Sequence, residues 1–333
     1  MFDSVLIISF GGPQGRADIR PFLANVLRGR RVSPERVDEV THHYELFDGV
    51  SPITELTRRQ AEGLRQRLAA SGRPLPVYVG MRNWHPMLPD TLRQMHADGA
   101  RRAIGFIGAP HHSYSSCQQY RENVAAAQKE LQASGGRVDI SFVGSWFDHP
   151  LFIEANATHV RTAQQRLPPA AREAARLVFT AHSIPQPMAE ASLYREQLCE
   201  SARLIAEKAG IAEWALVYQS RSGRPQDPWL EPDVCNYLRT EHAAGLRAAI
   251  ICPVGFVCDH IEVLYDLDRK AAQLCAGIGL PMTRAEAVND DPLFLDMMAD
   301  VVVHTIRRYE TGRPLPIVRS NHEGHEEHEE HEV

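Results

Sequence analysis

The chain has no excess of positive charge, no long apolar run and no paired cysteines, and each absence removes a class of function. Lys and Arg number 36 against 42 Asp and Glu, a formal net charge of −6. The last dozen residues, HEGHEEHEEHEV, hold six Glu and no Lys or Arg, so the body before them is formally neutral. General nucleic-acid binding needs a basic face against the phosphates, and no such partner is expected. No stretch approaches the roughly 18–20 apolar residues of a membrane-spanning helix. The opening MFDSVLIISFGGP lacks a basic n-region, and its apolar run of only about six or seven residues is short for a secretory leader. The expectation is a soluble, cytoplasmic protein with no transmembrane segment.

Six cysteines are scattered at Cys117, Cys199, Cys235, Cys252, Cys258 and Cys275, and no two form a C-x-x-C pair. Zinc-ribbon and thioredoxin patterns are therefore excluded, and in a reducing compartment these thiols serve as small hydrophobes. The glycines after the first apolar run read SFGGP, not G-x-G-x-x-G, so no dinucleotide fingerprint is present.

What is there is an ordinary globular balance, 44% hydrophobic and 23% charged over 333 residues, enough for two domains with real cores. Short apolar runs alternate with amphipathic stretches. The runs at 5–10, 76–80, 103–108, 139–144, 177–181, 215–219 and 248–254 are rich in Val, Ile, Phe or Tyr and read as strands. Helical patterns cover 16–27, 54–70, 88–98, 117–133, 151–166, 196–209, 260–276 and 292–308. This alternation predicts an α/β fold of parallel sheets with helices on both faces. The pattern runs twice, with a break near 145, which predicts two flavodoxin/Rossmann-like domains and a cleft between them. The expected division is 1–144, 145–288, a last helix over 289–312 that packs back on the N-terminal half, and a flexible His/Glu-rich tail over 313–333.

Ligands of such sheets bind beyond the carboxyl ends of the strands. After the first run, Gly11 and Gly12 either let a backbone approach a ligand or simply make a turn. After the third comes Ala109-Pro110-His111-His112-Ser113-Tyr114-Ser115-Ser116, polar and aromatic enough to line a pocket for a large flat ligand. Its two adjacent histidines seldom converge on one ion, and solvation is the plainer role for at least one of them. After the fifth, His182 is placed to be a base, a metal ligand or a structural histidine. The seventh leads into PVGFVCDHIEVLYDLD, where Asp259, Glu262 and Asp266 share one helical face by spacing. Asp259 is also an N-cap candidate. Glu262 and Asp266 repel unless a cation or proton sits between them, and a divalent-metal path or a solvated face would each account for them.

Taken in order, SFGGP, RPFLANVLRGR, GVSPITELTRRQ, VYVGMRNWHP, SYSSCQQYRENV, GSWFDHP, AHSIP, YQSRSG, DPWLEPD and PVGFVCDHIEVLYDLD resemble the ferrochelatases, over about residues 4–308. The loop GAPHHSYSSCQQYRENV resembles the branch that metallates coproporphyrin III. The resemblance implies insertion of Fe(II), as substrate, into a porphyrin in haem biosynthesis. It places His182 across the cleft from Glu262, both as metal ligands and proton handlers, with Asp266 and Asp268 as a relay to solvent. It also implies porphyrin contacts at Tyr120, Ser51, His43 and Tyr44. Arg28, Arg30 and Arg31 are candidates for the propionates because guanidinium matches carboxylate in a two-pronged way, with surface charge the alternative for Arg31. Some members carry an axial Tyr where this chain has Phe10, which cannot ligate iron. Others hold a [2Fe-2S] cluster on four Cys, several near the C-terminus. No Cys follows residue 275, so no cluster and no permanently bound cofactor is expected.

Three alternatives stand beside this reading: a protoporphyrin IX ferrochelatase, a cobalt or nickel chelatase for sirohydrochlorin-type rings, and a non-catalytic haem, porphyrin or iron carrier. A transient iron- or haem-handling partner fits any of them. The tail places His322, His325, His328 and His331 at intervals of three among the glutamates, a loose divalent-ion sponge or a solvated acidic end. Deleting residues 321–333 is expected to leave turnover at saturating iron unchanged. A steady-state metallation assay in which that deletion lowers the maximal rate would give the tail a catalytic role.

Overall fold

The computed structural model describes residues 1–29, 32–222 and 226–312. Its centre is a pair of four-stranded parallel sheets. The first contains β1 (Ser4–Ser9), β2 (Val77–Met81), β3 (Arg102–Ile107) and β4 (Asp139–Phe142), in the order β2-β1-β3-β4. The second contains β5 (Ala175–His182), β6 (Trp214–Gln219), β7 (Ala248–Cys252) and β8 (Met282–Arg284), in the order β6-β5-β7-β8. The two orders are the same with four added to each strand number. The α/β reading and the paired parallel sheets are as the sequence predicts. Every residue of β1 and β7 is buried, which is why both read as continuous apolar runs rather than alternating ones.

Helices connect the strands. In the first half they are α1 (Ile19–Val26), α2 (Pro34–Glu45), α3 (Ile53–Ala70), α4 (Leu88–Ala97) and α5 (Gln119–Ala133). The second half has α6 (Pro150–Arg166), the short α7 (Pro169–Arg172) and α8 (Gln186–Glu190), α9 (Tyr194–Ala209) and α10 (Val234–Ala243). A single turn α11 (Ile261–Val263) leads into a π-helix over Leu264–Ala271, then α12 (Ala272–Ile278) and finally α13 (Pro292–Glu310). Caps fix several starts. Ser33 accepts from the Arg36 N–H ahead of Pro34, and Asp233 and Asp291 each accept two N–H groups at the heads of α10 and α13.

The sequence pattern misses α2, α10 and β8. α2 reads PERVDEVTHHYE and buries only Thr41 and Tyr44, so it has almost no apolar stripe to find. β8 is three residues long. The stretch 16–27 is not one helix but a 3₁₀ turn over Arg16–Asp18 followed by α1.

α13 packs on α3 of the first half and equally on α6 of the second, not on the N-terminal half alone. Phe294, Met297, Met298 and Val302 on α13 join Val5, Ile7, Leu64 and Leu68 to Phe152, Leu177 and Phe179 in one continuous apolar cluster. Both halves therefore share a core. Polar ties reinforce the seam: Arg73 is bidentate to Glu310 at 2.9 Å, Arg67 pairs with Asp296, and Gln60 Nε2 donates to the Asn289 carbonyl at 2.7 Å. None of the described helices is long and apolar enough to cross a membrane.

The loop after β3 makes a second crossing. His112 N–H donates to Gln197 Oε1 at 2.7 Å, and His111 Nε2 lies 3.0 Å from Ser201 Oγ on α9. Ser201 gives its own hydrogen to the Phe147 carbonyl, so His111 Nε2 must be the donor. His111 Nδ1 is then a buried lone pair with no partner among the described residues. Burial pushes this imidazole down to about 3 from its ordinary 6.5. The folded state keeps His111 neutral, while the unfolded chain takes up a proton below pH 6.5. This contribution to stability is whole above that pH and is lost as pH falls, by about 1.4 kcal/mol per unit. A His111→Gln variant should lack this slope. Urea unfolding from pH 7.5 to 4.5 should show wild type losing ground to the variant, and parallel curves would overturn the account.

Candidate active site

The strongest constraint on the cleft comes from β5. His182 is its last residue, paired in register with Gln219 of β6. The His182 Nδ1 atom lies 2.5 Å from the Ser183 carbonyl oxygen, which only accepts, so Nδ1 carries the ring proton. The hydrogen bond from Tyr194 Oη to the His182 carbonyl, 3.0 Å, fixes the backbone. Nε2 is the ring nitrogen that faces Glu262 Oε2, at 3.8 Å. The two side chains are 33% and 43% exposed, so both are reachable from the cleft. Two acceptors in that position repel unless a proton or a cation lies between them. A divalent ion bonded about 2.0–2.2 Å from each donor fits a gap of this size.

Glu262 is held by its backbone. Its N–H donates to His260 Nδ1 at 3.1 Å, and its carbonyl accepts from Gln219 Nε2 at 3.2 Å. Ile261 and Val263 on either side are buried. His260, not Asp259, is thus the N-cap, and burial lowers the pKa of its ring. Within the π-helix the Ala272 N–H reaches back five residues to the Leu267 carbonyl, a wider turn than an α-helix. Asp266, one turn beyond Glu262, accepts from Ser220 Oγ at 2.5 Å. Ser220 follows β6 with φ 58°, a left-handed conformation that a serine rarely adopts. Burial raises the Asp266 carboxyl above its ordinary range, with a contribution from the Glu262 charge.

Two acids expected beside these lie elsewhere. Asp259 precedes the helix and turns away: its Oδ1 is 2.7 Å from Arg284 Nη1 and its Oδ2 accepts from Asn289 Nδ2 at 2.8 Å. Asp268 is bidentate to the same Arg284, at 2.6 and 2.7 Å. Two residues along this π-helix are close to half a turn, so Asp268 points away from the face of Asp266. Among the described residues no group of three or more His, Cys, Asp or Glu side chains is arranged to hold a metal.

The opposite wall is apolar and comes from the first half. Phe10 follows β1 and packs against Phe22, at 6.2 Å between centroids, and among Ile53, Leu56 and Cys258 at the seam. Tyr120 is buried on α5, and burial raises its phenol pKa. Ser51 is buried, its carbonyl accepting from Gln14 Nε2. The glycine pair after β1 is explained by packing: Gly11 has φ +82°, and a Cβ on Gly12 would lie 2.5 Å from Ser51 Cβ. Tyr44 is buried against Phe22 and Ile261 beneath the cleft, so it supports the floor. His43 stacks on Tyr265 at 3.7 Å. Arg28 is exposed and donates to Asn25 Oδ1 at 2.7 Å, while Arg30 and Arg31 lie outside the described residues. His111 and His112 do not converge on an ion, and His111 is buried rather than solvated.

Four residues that shape the cleft escape sequence reasoning: Arg82, Gln219, Ser220 and His260. Arg82, Gln219 and Ser220 stand at the ends of β2 and β6, so the strand-end rule applied to every strand would have found them. Arg82 stacks over Tyr120, its guanidinium carbon 4.9 Å from the ring centre.

The ferrochelatase family model matches residues 3–306. The chain belongs to the ferrochelatase family. It is 47% identical to a ferrochelatase from Rhodopirellula baltica, over 90% of this chain and 85% of that one. It is 43% identical to a coproporphyrin III ferrochelatase from Mycolicibacterium smegmatis, over 97% of each. A relative of the same name from Streptomyces coelicolor is 44% identical over 91% of this chain and 85% of its own. Among solved structures, the cobalt complex of the sirohydrochlorin chelatase SirB from Bacillus subtilis subspecies spizizenii covers 93% of this chain and 98% of its own, with a TM-score of 0.56 at 11% identity. That likeness speaks for the fold alone.

Arg284, only 12% exposed, holds Asp259 and Asp268 together behind the cleft. Replacing it with Met strands a buried carboxylate and should cost about 3 kcal/mol. Urea denaturation at neutral pH measures this, and a loss under about 1 kcal/mol would show that the Asn289 bonds alone hold Asp259.

Proposed function

We propose that this chain inserts ferrous iron into coproporphyrin III, as a step of haem biosynthesis in the cytoplasm. The observation that carries the reading is the His182–Glu262 pair, two electron-pair donors 3.8 Å apart at the mouth of the cleft. The substrate is supported by the Mycolicibacterium smegmatis relative, which is named for that porphyrin and matches almost end to end.

Metal insertion strips water from the ion and removes two pyrrole protons, and no electron changes hands. Neutral imidazole suits Fe(II) and also accepts a proton. His182, with Nδ1–H committed to Ser183, offers Nε2 to one or the other. Glu262 is the second metal and proton handler. Asp266, whose raised pKa suits it to hold a proton, receives one from Glu262 and passes it toward solvent. Asp268 has no place in this relay because Arg284 holds it. Tyr120, Phe10 and Ser51 form the wall against which the macrocycle lies, with His43 and Arg28 at its edge. Phe10 has no lone pair, so it packs against the ring and leaves metal ligation to the His182 side. Iron enters as substrate, with no resident cofactor and no [2Fe-2S] cluster, and product passes to a transient haem-handling partner.

The test compares Fe(II) insertion into coproporphyrin III, protoporphyrin IX and sirohydrochlorin, with Co(II) as a second metal. Coproporphyrin III with iron should be fastest. A higher rate with sirohydrochlorin would overturn the substrate, and porphyrin binding without metallation would make the protein a carrier. Glu262→Gln should slow insertion by about 10²–10⁴-fold with porphyrin affinity retained. Unchanged turnover in that variant would remove Glu262 from the mechanism.

A further inference from the structure

Arg82 is the one cleft residue whose chemistry nothing above uses. It follows β2, and its position is tightly held: its N–H donates to the Ser9 carbonyl at 3.0 Å. The next residue, Asn83, binds the Phe10 carbonyl through both its N–H, at 3.1 Å, and its Nδ2, at 3.2 Å. The side chain is placed between two rings, 4.9 Å from the Tyr120 centroid and 5.8 Å from that of Phe10. Its Nε is buried and has no hydrogen-bond partner among the described residues. Some arginines elsewhere find acids, as Arg16 has Asp48, Arg20 has Asp38, and Arg284 has Asp259 and Asp268, while Arg101 and Arg172 give their donors to backbone carbonyls. No described carboxylate pairs with Arg82.

A half-buried guanidinium without an anion is costly, and two aromatic faces offset only part of that cost. The fork of donors is complementary to one carboxylate. Arg82 also hydrogen-bonds the Tyr120 phenol, and the Glu262 charge is near enough to act on the same group.

We propose that Arg82 binds a propionate carboxylate of the porphyrin from the N-terminal wall and so selects acidic porphyrins. This rests on the porphyrin reading given above. Binding fixes the macrocycle at its edge while Phe10 and Tyr120 cover its face, which sets the distance of the pyrrole nitrogens from His182. Arg82 is a specificity-determining residue in this scheme, not a proton carrier.

The test is a coupling measurement. Coproporphyrin III and its uncharged tetra-amide are titrated into wild type, Arg82→Gln and Arg82→Lys without metal, following porphyrin fluorescence, and the tetraacid is then metallated with Fe(II). Loss of one charge-assisted, two-pronged bond should weaken tetraacid binding about tenfold in the Gln variant. The Lys variant, which keeps charge but loses the fork, should fall between. Tetra-amide affinity should be the same in all three proteins. In turnover, KM for the tetraacid should rise in step with Kd while kcat stays within about threefold. Equal losses for tetraacid and tetra-amide would overturn the proposal and leave Arg82 a packing residue, as would no loss for either. Because binding is read without metal, a protein that binds the tetraacid through Arg82 but inserts no iron would refute the catalytic reading and keep this one.

Discussion

An imidazole nitrogen and a carboxylate held face to face attract one another only through a proton or a cation shared between them. The His182–Glu262 opposition is the interaction on which the rest of the cleft depends. The surrounding bonds make sense as devices that prevent the pair from relaxing. Ser183 fixes the histidine tautomer, Tyr194 holds its backbone, and Gln219 ties the Glu262 carbonyl to the neighbouring strand. The left-handed Ser220 belongs to the same group, since its hydroxyl steadies Asp266 at the cost of backbone strain.

The identical strand orders of the two sheets give the cleft its asymmetry. β1 and β5 hold corresponding places in the two sheets, and each has a residue of the candidate site at its carboxyl end. One half puts Phe10 there and the other His182. The candidate site thus draws an apolar group from one half and a polar one from the other. The apolar wall is continuous with the packing beneath it, through Phe22, Tyr44 and Ile261.

Seven of the eight strands and the duplicated α/β layout were legible in the sequence because buried parallel strands announce themselves as apolar runs, whereas the pairing of His182 with Glu262 came from the family resemblance and not from position alone. Less visible features have physical reasons. α2 is polar because only Thr41 and Tyr44 of its residues are buried. Asp259 looked like a member of one acidic face with Glu262 and Asp266, and Asp268 like part of a relay, because spacing counts residues and not partners. Their common partner, Arg284, comes from a strand too short to detect. The π-helix also defeats a count made at 3.6 residues per turn. Tyr44 carries the right residue type for ligand contact, yet the aromatic cluster around Phe22 claims it for packing.

α13 has a bearing on how the protein comes into being. Its apolar face fills the groove between α3 and α6, so the shared core is incomplete until the last helix of the described chain has been made. During synthesis both sheets emerge first, with Leu64, Leu68 and Phe152 still uncovered. The two walls of the cleft are locked in register only when α13 seats. A nascent chain stalled before residue 292 would own His182 and Glu262 without the clasp that aligns their halves. Metal chemistry is thereby reserved for the finished molecule, and unfinished chains present exposed apolar surface to the chaperones and proteases that clear them.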